Sequence, residues 1–184
     1  MRHIPNILST IRLLLVGVFI YFFVNDQVLS ALITYLVAFI TDIVDGYLAR
    51  RNNWISNVGK VLDPLADKLM LIAALGCFYF AGWIDLWLLA IVVGKELLMI
   101  IGGAALYKHK IVVYSDWFGK LAAGFFNAGV AVTLAKKYFA WDWIGPWNIV
   151  LLCIAIVLAI IALFHYANKQ IFSRIRAEKE QQES

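Results

Sequence analysis

Four aspartates, Asp42, Asp45, Asp63 and Asp67, stand close together in the chain between long apolar runs. Asp42 and Asp45 are three residues apart and Asp63 and Asp67 four apart, so on helices each pair projects from one face. Two such faces can meet. Four carboxylates in a poorly hydrated setting are strongly unfavourable alone, and the nearby Arg50, Lys60 and Lys68 are too few and too scattered to neutralise them. A bound divalent cation is the natural counter-charge. With no His or Cys in the cluster, oxygen-only ligation favours Mg²⁺ or Mn²⁺ over Zn²⁺, and an ion held by carboxylates together with substrate phosphates is the common way Mg²⁺ is used. The chemistry implied is that of phosphate groups. Any one of these aspartates reads equally well as a loop or helix-cap residue at a membrane surface; the set at these gaps does not.

Written with its neighbours, the stretch is D-x2-D-G-x2-A-R-x8-G-x3-D-x3-D, carried by Asp42, Asp45, Gly46, Ala49, Arg50, Gly59, Asp63 and Asp67. It resembles the signature of the CDP-alcohol phosphatidyltransferases at every fixed position and every gap. The N-terminal Pro5-Asn6-Ile7-Leu8-Ser9-Thr10-Ile11-Arg12 is similar to an opening found in many members of that family. The resemblance implies that Asp42, Asp45 and Asp63 ligate metal on the diphosphate of a CDP-lipid, and that Asp67 ligates or serves as general base on the acceptor hydroxyl. It also implies that Gly46, Ala49, Arg50 and Gly59 border the CDP-lipid. On the residues alone, Gly46 and Ala49 serve helix packing equally well, Arg50 serves as a topology charge, and Gly59 permits a turn or close approach.

The elements that must hold these residues are membrane helices. Of the 184 residues 63% are hydrophobic and 15% charged, and the mean hydropathy is +0.81. That composition excludes an ordinary soluble domain. The net charge of +4 comes without a basic stripe interleaved with exposed aromatics, so nucleic acid is not an expected partner; basic loops facing anionic headgroups are. Cys77 and Cys153 each lie inside an apolar run, a packing use rather than a disulfide or metal site. His3, His109 and His165 are isolated and read as interfacial or packing residues.

The expected architecture is all-α and polytopic: one domain over residues 1–184, with six transmembrane helices and a short N-terminal interfacial helix. Asn6 or Ser9 is the expected cap of the first helix. The spans expected are 13–24, 28–49, 61–81, 86–107, 117–139 and 144–166, followed by a polar tail at 169–184 that is solvated or a frayed helix. Pro64 falls near the start of the third span, where Asp63 could act as its N-cap. Trp141, Trp143 and Trp147 form an aromatic belt. Eleven basic residues fall on the side of the aspartates and only Lys136 and Lys137 on the other, so the positive-inside rule makes the aspartate side and both termini cytoplasmic. The expected location is a bacterial cell membrane.

Lys95 and Lys120, within or beside apolar spans, are the candidates for holding an anionic acceptor; Lys120 near a helix end also reads as a snorkelling residue. Family members that use glycerol 3-phosphate usually carry Arg-Glu where this chain has Lys95-Glu96, and Gly-Lys-x-Lys-Thr where it has Gly119-Lys120-Leu121-Ala122-Ala123. The second lysine is absent. The resemblance implies transfer of the phosphatidyl group of CDP-diacylglycerol to sn-glycerol 3-phosphate with release of CMP, in the lipid bilayer and by a homodimer. Rival readings are a cardiolipin synthase of the same family with phosphatidylglycerol as acceptor, a cation transporter with a four-carboxylate site, and a non-enzymatic membrane scaffold. The absence of paired broken helices or a repeat counts against transport.

Overall fold

A computed structural model describes the backbone of residues 4–52, 59–108 and 117–182 and, within these, the side chains of 10–44, 65–99 and 117–165. The described residues form six α-helices and one 3₁₀ turn: α1 (Ile4–Val24), α2 (Val28–Asn52), α3 (Gly59–Phe80), α4 (Leu86–Lys108), α5 (Trp117–Phe139), the 3₁₀ turn Asp142–Ile144, and α6 (Trp147–Gln182). No strand occurs among them. Helices suit a bilayer because every backbone polar group in mid-helix is satisfied within its own segment.

Three helix boundaries differ from the expectation. No separate N-terminal interfacial helix occurs among the described residues: α1 runs unbroken from Ile4, so Asn6 and Ser9 lie inside the helix and do not cap it. Pro5 explains the early start, since its fixed φ suits the first turn and its missing N–H has no intrahelical partner there in any case. Asp63 is likewise not a cap, because α3 already begins at Gly59. The polar tail is the continuation of α6, which begins only at Trp147, after Gly145 (φ +55°) and Pro146 have turned the chain.

The turns at one end of the bundle share a device. After α1, Gln27 N–H donates to Phe22 C=O and Asp26 N–H to Phe23 C=O, with Asp26 at φ +56°; after α3, Trp83 N–H donates to Phe78 C=O and Gly82 N–H to Tyr79 C=O, with Gly82 at φ +69°. Both are Schellman closures, in which one left-handed residue lets the chain satisfy the last carbonyls and reverse. α5 ends similarly, with Trp141 N–H donating to Lys136 C=O and Ala140 at φ +50°.

α1 packs on α2 and α3, α2 and α3 on α5, α3 on α4, and α6 on α5 and α4. The core is apolar and partly aromatic: Phe19, Tyr35, Leu75, Phe78, Leu88, Leu134 and Leu152 are all buried. Phe23, Phe78 and Trp83 interlock at centroid distances of 5.0–5.9 Å, tying the end of α1 to the α3–α4 turn. Gly129 of α5 lies so close to α6 that a Cβ there would stand 2.7 Å from Leu152 Cδ2.

The outside is apolar too. Leu14, Ile33, Val37, Leu97, Leu98, Val157 and Phe164 are exposed, a surface that water would not tolerate over such an extent and that lipid solvates. The described stretches Trp117–Phe139 and Trp147–His165 are each long and apolar enough to cross a bilayer, and only 33% and 28% of their apolar windows are buried in the bundle. They are therefore not the core helices of a soluble protein. Thr10–Val24 and Val28–Val44 are apolar but shorter. An all-helical chain with this apolar exterior has the composition of a membrane protein, and by length and composition two of its described helices can cross a bilayer.

Candidate active site

Arg12 organises the site. It enters on α1, is only 1% exposed, and ranks among the largest side chains buried outright. Its Nη1 lies 2.8 Å from Asp42 Oδ1 and 2.8 Å from Asp67 Oδ1. Because one nitrogen serves both, the two oxygens stand no farther apart than twice that distance, and α1 is locked to α2 and α3 by charge. A guanidinium is retained at such burial only when carboxylates face it, since an uncompensated charge there costs several kcal/mol, on the order of 3–5 when a partner is removed. The carboxylates themselves remain 37% and 46% exposed. The cation is thus enclosed while the acceptor oxygens stay open to a ligand.

Asp45 lies three residues beyond Asp42 in α2, and Asp63 four residues before Asp67 in α3. Their side chains, with those of Gly46, Ala49, Arg50 and Gly59, fall outside the described ones; the backbone puts Gly46, Ala49 and Arg50 near the end of α2 and Gly59 at the start of α3. Among the described residues no group of three or more His, Cys, Asp or Glu is placed to hold a metal. The donor chemistry that is described fits a hard cation, with two carboxylate oxygens brought to one locus and no sulfur or imidazole there.

Next along α3, Lys68 Nζ lies 3.1 Å from Glu96 Oε2 of α4, and Lys95 Nζ pairs with Glu96 Oε1. Glu96 is 4% exposed. Lys95 also stands over the ring of Phe126 on α5, 5.5 Å from its centroid, a cation–π contact that holds the ammonium on the apolar side of the cluster. Two lysines against one buried glutamate leave one positive charge in excess beside Asp67. Arg12 alone leaves one carboxylate charge of Asp42 and Asp67 unmatched, so this positive charge is free for an anion once a cation holds the aspartates. Lys120, in contrast, is exposed in the first turn of α5 and makes none of these contacts. Of the two acceptor candidates, Lys95 lies in this buried cluster and Lys120 outside it.

Two contributions were not legible in the aspartate pattern. Lys68 is not a scattered counter-charge for the aspartates but the partner of Glu96, and Arg12, given no role of its own beyond its place in the N-terminal opening, is the cation that bridges Asp42 and Asp67. The available signal for Arg12 was its place at the end of the opening Pro5-Asn6-Ile7-Leu8-Ser9-Thr10-Ile11-Arg12, just before the uninterrupted apolar run of α1.

The sequence model of the family described as CDP-alcohol phosphatidyltransferase matches residues 2–161. A CDP-diacylglycerol--glycerol-3-phosphate 3-phosphatidyltransferase of Aquifex aeolicus (strain VF5) is 27% identical over 91% of this chain and 95% of its own length. Its namesake from Bacillus subtilis (strain 168) is 32% identical over 52% of this chain and 58% of its own length. A cardiolipin synthase (CMP-forming) of Streptomyces coelicolor is 32% identical over 58% of this chain and 52% of its own length. The match runs through the opening that supplies Arg12, the whole aspartate stretch and the later helices as far as α6, and on that extent the chain belongs to the CDP-alcohol phosphatidyltransferase family.

Proposed function

We propose that the protein transfers the phosphatidyl group of CDP-diacylglycerol to sn-glycerol 3-phosphate, giving phosphatidylglycerophosphate and CMP. The observation that carries this reading is the juxtaposition of Asp42 and Asp67, drawn together by Arg12, with the Lys68–Glu96–Lys95 cluster one residue along α3. The names of the Aquifex and Bacillus relatives agree with it.

In the step, an oxygen of the acceptor hydroxyl attacks the phosphorus that carries diacylglycerol, that phosphorus parts from the bridging oxygen to CMP, and the hydroxyl proton passes to a carboxylate. Asp42, Asp45, Asp63 and Asp67 would hold Mg²⁺ or Mn²⁺, which when bound supplies charge neutralisation on the diphosphate. Asp67 either ligates or takes the proton. Arg12 keeps Asp42 and Asp67 at one locus, and Lys95 with Lys68 offers positive charge to the acceptor's phosphate. Lys120, on this reading, acts at the mouth of the acceptor route. Gly46, Ala49, Arg50 and Gly59 border the CDP-lipid.

Six spans fit this reading, because the shortest helix has 21 residues, about 30 Å of length, enough to cross the hydrocarbon core. The bias of Lys and Arg toward the aspartate side argues for an active site and both termini on the cytoplasmic face. Homodimer formation rests on family likeness.

A second reading has a specific feature in its favour: the chain has Gly119-Lys120-Leu121-Ala122-Ala123 where glycerol-phosphate-using members carry a second lysine, and a cardiolipin synthase is among the relatives. Phosphatidylglycerol would then be the acceptor. The deciding experiment gives purified protein CDP-diacylglycerol with Mg²⁺ or Mn²⁺ and offers glycerol 3-phosphate, phosphatidylglycerol, inositol phosphate and serine in parallel. CMP release is expected with glycerol 3-phosphate and to stop on chelation. Release with phosphatidylglycerol alone establishes the second reading, and ion flux without CMP release returns the protein to the transporter class.

A further inference from the structure

At the end of the bundle remote from the aspartates, the α3–α4 turn and the α5–α6 turn enclose a cavity of about 530 Å³ lined by Trp83, Thr133, Lys136, Lys137, Asp142 and Asn148, among others. Asp67 and Phe80 lie on one helix, thirteen residues apart, about 20 Å along its axis, so the cavity is no extension of the site above. It holds the only two lysines the sequence puts on this side of the membrane.

The polar groups of its wall are arranged asymmetrically. Thr133 Oγ1 donates to Gly129 C=O at 2.7 Å, and Asn148 Nδ2 donates to Thr133 Oγ1 at 3.2 Å. The oxygen of the same amide, Asn148 Oδ1, is buried without a hydrogen-bond partner, and Asn148 as a whole is 6% exposed. A buried acceptor with its amide nitrogen already committed is left unsatisfied at the cost of its desolvation, which a donor reaching it through a small shift of the wall would recover. Above it, Lys136 Nζ donates to Gly145 C=O, and Lys137 Nζ stands 5.1 Å from the centroid of the Trp83 ring. Each ammonium has three donors, so both keep capacity for an anion. Asp142 offsets one of the two charges. Trp143 and Trp147 are exposed beside the mouth, which sets it at the depth of lipid headgroups.

We infer that this cavity binds the headgroup of an anionic phospholipid whose phosphodiester bears a hydroxylated alcohol: the phosphate meets Lys136 and Lys137, and a hydroxyl donates to Asn148 Oδ1. The volume suits a headgroup of this size. An ethanolamine ammonium would also donate, but it would enter against two lysines; a choline has no donor. A hydroxylated phosphodiester satisfies both walls at once. The same chemistry is present in the free, deacylated headgroup, and the experiment separates the two sources.

The test uses delipidated full-length protein in neutral detergent, with lipid binding read by native mass spectrometry. Phosphatidylglycerol and phosphatidylcholine of matched chains are titrated in, and glycerophosphoglycerol is added as competitor. Wild-type protein is expected to bind phosphatidylglycerol about tenfold more tightly than phosphatidylcholine. Lys136→Gln/Lys137→Gln is expected to lose that preference, and Lys137→Gln, which leaves the Lys136 hydrogen bond in place, to weaken it. Asn148→Leu should reduce it by removing the acceptor at similar volume. Asp67→Asn should leave it unchanged, which separates this cavity from the catalytic one. CMP release by the lysine variants in neutral detergent should match wild type and so report intact folding. Displacement of the lipid by glycerophosphoglycerol assigns recognition to the headgroup alone, and failure to displace assigns it to the intact lipid; either upholds the chemistry. Equal binding of the two lipids by wild-type protein, or a preference unaltered in the double variant, overturns the inference.

Discussion

Arg12 shows how one side chain does two jobs that conflict in isolation. Alone, a buried guanidinium and two facing carboxylates would each destabilise a membrane bundle; together they fix three helices and leave carboxylate oxygens for ligands. Arg12→Met should therefore lower turnover by about one to two orders of magnitude, the equivalent of roughly 1.5–3 kcal/mol for a lost charged hydrogen bond. Because Asp42 and Asp67 are more than a third exposed, the loss of stability should be the smaller effect. It should also depend on divalent cation: melting in detergent with Mg²⁺ and with chelator should differ more for Arg12→Met than for wild type, since the aspartates then lack their fixed counter-charge. An unchanged difference would show that Arg12 and metal do not share those oxygens. Lys95 and Asp67 separate by kinetics. Lys95→Ala should raise the glycerol 3-phosphate KM by about ten- to a hundredfold, with little effect on CDP-diacylglycerol, whereas Asp67→Asn should lower kcat, because it acts on the chemical step. Lys120→Ala, on an exposed residue outside the Lys–Glu cluster, should give the smaller acceptor effect. Steady-state rates with each substrate varied check all three, and an acceptor KM unmoved in both lysine variants would reject the anionic-acceptor site. The sequence showed the aspartates because residues that share one helix face keep helical spacing within one segment. It concealed the pairing of Arg12 with Asp67, which joins residues 55 positions apart, and that of Lys68 with Glu96, because contacts between helices have no spacing to read.

Helices were legible in proportion to how their ends are made. α5, bounded by polar and aromatic residues, runs over Trp117–Phe139 as its hydropathy indicates, and the turns at 25–27 and 81–85 fall where polar residues interrupt the apolar runs. The starts of α1, α3 and α6 were misjudged by two to nine residues, since a preference for Asn, Ser or Asp at caps is weaker than what Pro5, Gly59 and Pro146 impose on the backbone. The tightest interhelical contact, α5 on α6, depends on Gly129. A Cβ there would stand 2.7 Å from Leu152 Cδ2 and 2.9 Å from Cγ, and Leu152 is fully buried with nowhere to swing. Gly129→Ala gains about 1 kcal/mol of helix propensity but overpacks the seam by about 1–3 kcal/mol, so a net loss in thermal stability is expected. Leu152→Ala alone should also destabilise, by opening a cavity of roughly 2–5 kcal/mol. The double variant should lose less than the two single losses combined, because the new methyl enters the space the leucine vacates. Detergent melts of the four proteins check this, and strict additivity would place the strain elsewhere.

At the scale of the whole molecule, the two ends of the bundle differ in charge and in construction, and that asymmetry argues for its orientation. One end is closed by the turns after α1, α3 and α5 and carries exposed Trp143 and Trp147; the other carries Arg12, Asp42 and Asp67, with the end of α2 and the start of α3. Basic residues concentrate at the second end, and a membrane potential and anionic inner leaflet both favour retaining them on the cytoplasmic side. A water-soluble nucleotide product leaving from that end then requires no further passage across the bilayer. Orientation is measurable with single cysteines in a background where Cys77 and Cys153 are replaced by Ala; both are partly buried within helices, so the replacement removes little polar contact. In intact cells, a membrane-impermeant maleimide should label a cysteine at Asp142, in the exposed α5–α6 turn, and should not label one at Asn53, between α2 and α3, until the membrane is permeabilised. The reverse pattern would put the aspartates on the outer face, where CDP-lipid chemistry would need nucleotide outside the cell, and would return the four carboxylates to an ion-binding role.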